Sequence, residues 1–289
     1  MSENRSLLNL AAWTASRLPM PVRRQFYRVP GLARLLRGAL NRAAPPGLSV
    51  VRVAAGGLQG CPLQLDLQSE KDYWLGTYEP DLQAALERFI QPGMVVYDVG
   101  ANIGYISLLL ARRVGPGGQV YAFEALPANQ QRLRANLALG DPDERVTLVP
   151  AAVVETSRPV KFLIGPSGGM GKAEGSAGRD EYDYPETVEV EGLSLDDFVY
   201  QSGNPPPQAV KLDIEGGEVL ALPGMRRLLT EARPLVLMEL HGSEAARTAW
   251  EVFRSAGYRL RRMEKGYPTI EDLSNLDWKA YLVALGNDK

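Results

Sequence analysis

A single cysteine, Cys61, is all the sequence carries. This excludes an intramolecular disulfide and any multi-cysteine metal site, and it fits a reducing, cytoplasmic setting. No stretch reaches the roughly 18 apolar residues that a membrane span needs. The N-terminus lacks the basic start and uninterrupted apolar core of a secretory signal, so none is expected. The net charge of −2 offers nothing to attract nucleic acid. There is one histidine, His241, so multi-histidine metal centres are excluded as well. What is present is apolar material, 45% of 289 residues, enough for one large α/β domain or two small ones.

The charge is unevenly spread. Residues 1–45 hold Arg5, Arg17, Arg23, Arg24, Arg28, Arg34, Arg37 and Arg42 against Glu3 alone. They also hold Leu7, Leu8, Leu10, Trp13, Leu18, Phe26, Leu32, Leu35, Leu36 and Leu40, with Pro19, Pro21 and Pro30 expected to break the segment into short helices. Two readings stay open. In one, a helical extension packs on the domain with its arginines solvated. In the other, a basic interfacial helix makes peripheral contact with an anionic membrane or a partner.

Beyond residue 45 the periodicities alternate. "LSVVRV" and "PLQLDL" predict a β-hairpin over 48–67. "YEPDLQAALERFIQPG" predicts a helix, "MVVYDV" a buried strand, "IGYISLLLARRVG" a helix stopped by Gly115, "GQVYAFEA" a strand, "PANQQRLRANLALG" a helix and "VTLVPAAV" a third strand. Further strands are predicted in "QAVKLDIEGGE" and "PLVLMELHG", with one helix over 217–231 between them. A short helix follows Ser194, whose spacing to Asp197 is that of a capping box. "EAARTAWEVFRSAG" predicts a helix, and "YRLRRME" and "KAYLVALG" a closing strand pair. Alternating strands and helices at this spacing imply parallel pairing, hence a doubly wound α/β sheet of seven strands with a C-terminal antiparallel hairpin. Residues 165–185 are rich in Gly and Ser and predict a long loop. The expected division is an extension over 1–45 and a domain over 46–289, with the hairpin at 48–67 and the core at 73–289.

In an open α/β sheet, ligands sit beyond the carboxyl ends of the strands. The first such turn is "DVGANIG". A dinucleotide fingerprint starting at Gly100 would need glycine at 102 and 105, where the chain has Asn102 and Tyr105. What remains is Asp98, Gly100, Asn102 and Gly104, with Glu124 ending the next strand and able to accept hydrogen bonds from ribose hydroxyls. Asp98, Asp213, Glu215 and Glu239 at strand ends make an acidic crevice. Such a crevice repels a pyrophosphate and suits a sulfonium, as in S-adenosylmethionine.

"YEPDLQAAL", "VVYDVGANIGYISLLLA", "VYAFEALPANQQRLRANL", "LSLDDF", "VKLDIEGGE" and "LVLMELHG" occur in this order. Together, over about residues 73–245, they resemble the FkbM-type S-adenosylmethionine-dependent methyltransferases. The resemblance implies a class I methyltransferase (Rossmann-like) fold and O-methylation of a sugar or other small natural product. It also implies that Asp98, Gly100, Asn102 and Gly104 cradle the methionine portion, that Glu124 holds the ribose, and that Ala151 and Ala152 lie near the adenine.

A hydroxyl acceptor must lose a proton, so a base at a strand end is expected. The candidates are Asp213, which shares a strand face with Lys211, and His241, whose ordinary pKa suits a base near neutrality. Glu239 either meets substrate or orients His241, and Glu215 lies at a helix start. For Asp213 the alternative is a buried Lys–Asp pair that organises the sheet. For Glu215 and Glu218 it is an interaction with a helix N-terminus. No ligand spacing is diagnostic of a metal, and none is expected. "GNPPPQ" resembles an amino-methyltransferase motif in its letters, but it precedes the strand and has Pro207 where that motif has an aromatic residue; it reads as a linker. The expected activity is O-methylation of a small-molecule or glycan acceptor. The alternatives are a membrane-associated methyltransferase of a lipid-linked glycan and a non-catalytic binding module.

Overall fold

The computed structural model describes residues 2–18, 38–140, 144–165, 170–178, 184–276 and 279–286. The expected proline-broken helices over 19–37 lie outside the described residues. The chain divides into two compact units, Met1–Gln83 with Ala135–Asp143, and Ala84–Arg134 with Glu144–Lys289.

The first unit contains the helix Ser2–Arg17, helical residues 38–43, and an antiparallel hairpin of β1 (Leu48–Arg52) and β2 (Pro62–Asp66). Alternation decides the faces of the hairpin. Leu63 and Leu65 are buried, while Leu48 and Val50 are exposed. The following helix, Lys71–Leu75, ends at Gly76 in the left-handed conformation, where a Cβ would meet the Ala55 carbonyl.

In the second unit, β3 (Val95–Val99), β4 (Gln119–Phe123) and β5 (Val146–Val149) come first. Five short strands follow: β6 (Ala152–Val153), β7 (Val160–Ile164), β8 (Gly171–Ala173), β9 (Glu186–Val190) and β10 (Gly192–Leu193). The last four are β11 (Ala209–Leu212), β12 (Leu235–His241), β13 (Tyr258–Arg262) and β14 (Lys279–Gly286). Seven of them form one sheet in the order β13-β14-β12-β11-β3-β4-β5. β14 runs antiparallel to both its neighbours, and the other pairs are parallel. This is the class I methyltransferase arrangement that the resemblance implied. The chain leaves β3 on one side toward β5 and returns on the other to β11, so the switch point lies between β3 and β11, where such sheets open a crevice.

Local chemistry explains where the elements depart from expectation. "VTLVPAAV" is two strands: Pro150 has no N–H to donate to a ladder, and β6 pairs instead with β10. The helix expected over 217–231 is a helix Glu218–Ala221, a 3-10 turn Leu222–Met225 and a helix Arg226–Glu231. Pro223 interrupts it, and Gly224 abuts the Val154 carbonyl so closely that a Cβ would come within 2.4 Å. The region expected as loop contains β8, which joins β7 and β9 in a three-stranded sheet; residues 166–169 and 179–183 lie outside the described residues.

Half of the expected capping box forms. Ser194 Oγ accepts from the Asp197 N–H at 3.3 Å, but Asp197 turns its carboxylate to Ser157 and Gln201 instead of reaching back. Ser194 Oγ also donates to the Gly224 carbonyl at 2.9 Å, so one hydroxyl ties two helices together. Ser194→Ala removes a cap and leaves a buried carbonyl unpaired, and should cost about 1–2 kcal/mol in urea unfolding; a change within a few tenths would contradict this role.

Candidate functional site

The turn after β3 runs through three positive-φ residues, Gly100, Asn102 and Gly104. At Gly100 the requirement is absolute: a Cβ would sit 1.9 Å from the Asp213 carbonyl oxygen. The turn is strapped to the end of β4. The N–H groups of Gly100 and Ala101 both donate to the Phe123 carbonyl, at 3.0 and 2.9 Å. The Asn102 N–H donates to Glu124 Oε2 at 2.8 Å. Glu124 Oε1 accepts from the Leu126 N–H at 2.8 Å and from Asn129 Nδ2 at 3.4 Å. Burial pushes the Glu124 carboxyl up from its ordinary value, and the Leu126 and Asn102 donors oppose that rise. A carboxylate offers about four acceptor positions, so Oε2 keeps capacity for a ligand hydroxyl. Asn129, buried beside Glu124, belongs to the site. It was not singled out in the sequence because a helical Asn five residues from an acid has no distinctive pattern.

Asp98 lies lower. It is fully buried; its Oδ2 accepts from Ser107 Oγ at 2.6 Å, and its Oδ1 faces Lys211 Nζ at 3.2 Å. Lys211 also donates to the carbonyls of Gly100 (2.9 Å) and Val99 (3.3 Å) and comes within 3.9 Å of Asp213. Asp98 therefore organises the turn from beneath. Gly104 caps the helix Tyr105–Val114. Ala152, the first residue of β6, is buried with Ala125 and Leu126 in one apolar cluster, so the segments after β4 and β5 share a wall.

The four candidate catalytic residues converge. β11 pairs with β12 through Leu212 and Met238, so Asp213 and Glu239 are the next neighbours, and the two-residue strand period puts His241 on the face of Glu239. His241 Nε2 lies 3.2 Å from Glu239, 3.7 Å from Glu215 and 4.0 Å from Asp213. Its Nδ1 lies 3.3 Å from Glu218 Oε1, and that oxygen also accepts from the Ile214 and Gly216 N–H groups. Lys279, opposite His241 on β14, reaches Glu239 Oε1. Asp213, Glu239 and His241 each offer a ligand atom, all within 4.8 Å of one another, so the group could hold a metal ion. The Gly- and Ser-rich segment closes on this corner: the Ala177 N–H donates to the Gly216 carbonyl at 3.0 Å.

Burial alone would lower the His241 imidazole, but Glu218 and Glu239 at hydrogen-bonding distance, aided by the Asp213 charge, push it up to about 10. Burial likewise pushes the Glu239 carboxyl up, and contacts with His241 and Lys279 outweigh it. A protonated imidazole has no lone pair, so this shift works against His241 serving as a base near neutrality. Folding raises this group above its ordinary 6.5, so its stabilisation is complete below that value and is lost as pH climbs through about 10. In ion-free protein, NMR of the sole histidine should give a midpoint near 10. Stability should fall as pH rises over the interval between these values, and His241→Asn should abolish that component. A midpoint near 6.5 would remove the argument.

The chain is 28% identical over 151 residues to the hexuronic acid methyltransferase AglP of Haloferax volcanii, covering 51% of this chain and 56% of that protein. It is 27% identical over 180 residues to the 31-O-demethyl-FK506 methyltransferase FkbM of Streptomyces tacrolimicus, covering 54% and 69%. The chain thus spans little more than half the length of the first. A solved SAM-dependent O-methyltransferase of Thermotoga maritima aligns with a TM-score of 0.44 at 15% identity, over 87% of this chain and 81% of that one. The model of the methyltransferase FkbM domain matches residues 98–260, more than half of the sequence, and the chain belongs to that family.

Proposed function

We propose that this chain is an S-adenosylmethionine-dependent O-methyltransferase acting on a hydroxyl of a sugar or other small natural product. The observation that carries the proposal is the Glu124 clasp. The carboxylate, at the end of β4, holds the glycine turn through Asn102, and its Oε2 keeps acceptor capacity beyond that bond. A ribose fits that position, and Gly100, Asn102 and Gly104 keep side-chain bulk off the turn above it. S-adenosylmethionine, when bound, supplies an electrophilic methyl group on a sulfonium. The rest falls to the chain. Asp213, whose side chain keeps 17% of its surface open, is the inner carboxylate placed to accept the proton of an acceptor hydroxyl. His241, cationic, orients Glu239 and the acceptor. Glu215 sits at the rim, 42% open. The names of the two relatives, one acting on a hexuronic acid and one on an O-demethyl natural product, support hydroxyl acceptors of this kind.

Calorimetry tests the first half. Wild-type protein should bind S-adenosylmethionine, and Glu124→Ala should weaken binding by roughly 10–100-fold, since hydrogen bonds to a charged group are worth about 1.5–3 kcal/mol. Equal binding by the variant would refute the clasp. With a labelled methyl donor and a panel of glycans and hydroxylated small molecules, Asp213→Asn should slow transfer by about 10²–10⁴-fold with little change in donor affinity. Absence of transfer to every acceptor would favour the non-catalytic module.

One observation favours a second reading, an acceptor presented at a membrane, such as a lipid-linked glycan. The helix Ser2–Arg17 exposes Leu10 and Trp13, each 58% open, with Leu7 one turn back and the Arg17 guanidinium 5.5 Å over the Trp13 ring. An apolar stripe edged by arginine suits an anionic lipid surface. No helix among the described residues is long and apolar enough to cross a membrane. The full chain should sediment with anionic vesicles and not with neutral ones, and Leu10→Gln with Trp13→Gln should abolish this. Failure of the wild type to sediment would eliminate the reading.

A further inference from the structure

The strand ends that gather Asp213, Glu239 and His241 place two carboxylate oxygens and one imidazole nitrogen within 4.8 Å of one another. Sequence spacing pointed to no metal because the ligands come from two strands, 26 residues apart along the chain at their nearest. The side chains show three features that a merely structural ion-pair cluster does not require. First, His241 is oriented from behind. Its Nδ1 faces Glu218 Oε1 at 3.3 Å. Glu218 has no exposed surface and is held by the Ile214 and Gly216 N–H groups. A carboxylate on one ring nitrogen directs the other nitrogen at a metal in most histidine-ligated centres. Here the directed nitrogen is Nε2, which faces Glu239 and Asp213.

Second, Glu239 Oε1 is buried and the groups in contact with it are cationic, His241 Nε2 at 3.2 Å and the Lys279 ammonium. A shielded carboxylate oxygen needs a cation facing it, and a metal ion meets that need as an ammonium does. Third, the cation now in contact with it is exchangeable. Lys279 enters from β14, and its side chain is 45% exposed, so it can swing into solvent.

We propose that Asp213, Glu239 and His241 form a binding site for one divalent first-row transition-metal cation, Mn²⁺ being the probe ion. Mixed oxygen and imidazole donors suit that class better than Ca²⁺, which takes oxygen alone, or structural Zn²⁺, which takes four protein ligands. On entry the ion exchanges the Nε2 proton, released to solvent, for its own charge, and the Lys279 ammonium withdraws. Three protein ligands leave coordination positions open beside Asp213, the side of the group that meets solvent. A hydroxyl bound there becomes more acidic. That last role rests on the function proposed above; the binding site itself does not.

The test uses the full chain, stripped with chelator and titrated with Mn²⁺ alone, free ion being read by electron paramagnetic resonance. S-adenosylmethionine affinity is measured separately by calorimetry. One ion should bind per chain. Asp213→Asn and Glu239→Gln should each weaken it by at least 10-fold, and Glu218→Gln, behind the histidine, by about 10–100-fold. Lys279→Ala, at a half-exposed position, should tighten it several-fold by removing a competing charge. Glu124→Ala should leave Mn²⁺ binding intact while losing the methyl donor, so failure of either site is read independently. No binding at millimolar Mn²⁺, binding unchanged in both Asp213→Asn and Glu239→Gln, or no tightening in Lys279→Ala would each overturn the proposal.

Discussion

The Lys211 ammonium joins the glycine turn and the acidic corner into a single site. Strand pairing sets Lys211 opposite Asp98, and the side chain ends among the Gly100 and Val99 carbonyls, Asp98 and Asp213. An ammonium has three donors and no acceptor, and inside a sheet it is tolerated only when its partners satisfy it. Removing one partner of a buried pair of this kind costs about 3–5 kcal/mol. The arrangement therefore constrains position. Drawing the turn away from β11 would strip the ammonium of its carbonyl partners, and shifting β11 by one residue would point Lys211 to the opposite face. Cofactor turn and candidate base are thereby held in one register.

Much of this was legible. The D-x-G-x-N-x-G turn, the acid ending the next strand, and the strand-end positions of Asp213, Glu239 and His241 follow from period and punctuation, because the ends of parallel strands are where an open sheet must place its ligands. The seven-stranded order follows from alternating elements. Several features were not legible. Strands β6 to β10 are two to five residues long and pair across loops, so no window holds enough period to reveal them. The close approach of Gly224 to the Val154 carbonyl joins positions 70 residues apart in the chain. The depth of Asp98 was hidden too, because a strand-end acid reads alike whether it faces a ligand or a lysine.

His241 shows how neighbours distant in sequence act on one group. Read alone, an imidazole at a strand end is a base near neutrality. Its neighbours come from three places: Asp213 after β11, Glu215 and Glu218 in the turn and helix beyond it, and Glu239 two residues back on its own strand. Only the last two are close enough to hydrogen-bond the ring, and both favour its protonated form. Among the carboxylates around it, Asp213 is the inner one that still meets solvent.

This redistribution also orders the charges by mobility. Lys211 cannot leave, since its carbonyl partners belong to the turn. The imidazolium is pinned through Nδ1 by a glutamate with no exposed surface. Lys279 alone, on the antiparallel strand beside β12, has both a charge partner in the site and a path to water. A carboxylate-rich corner at low local dielectric must keep cations near it at all times. A corner with one detachable cation is suited to exchanging it for another during a catalytic cycle, whether the sulfonium of a methyl donor or a bound metal ion. On this view the acidity of the crevice is not a property of any one residue. It follows from placing the ends of β11 and β12 side by side with Lys279 of β14 at their flank.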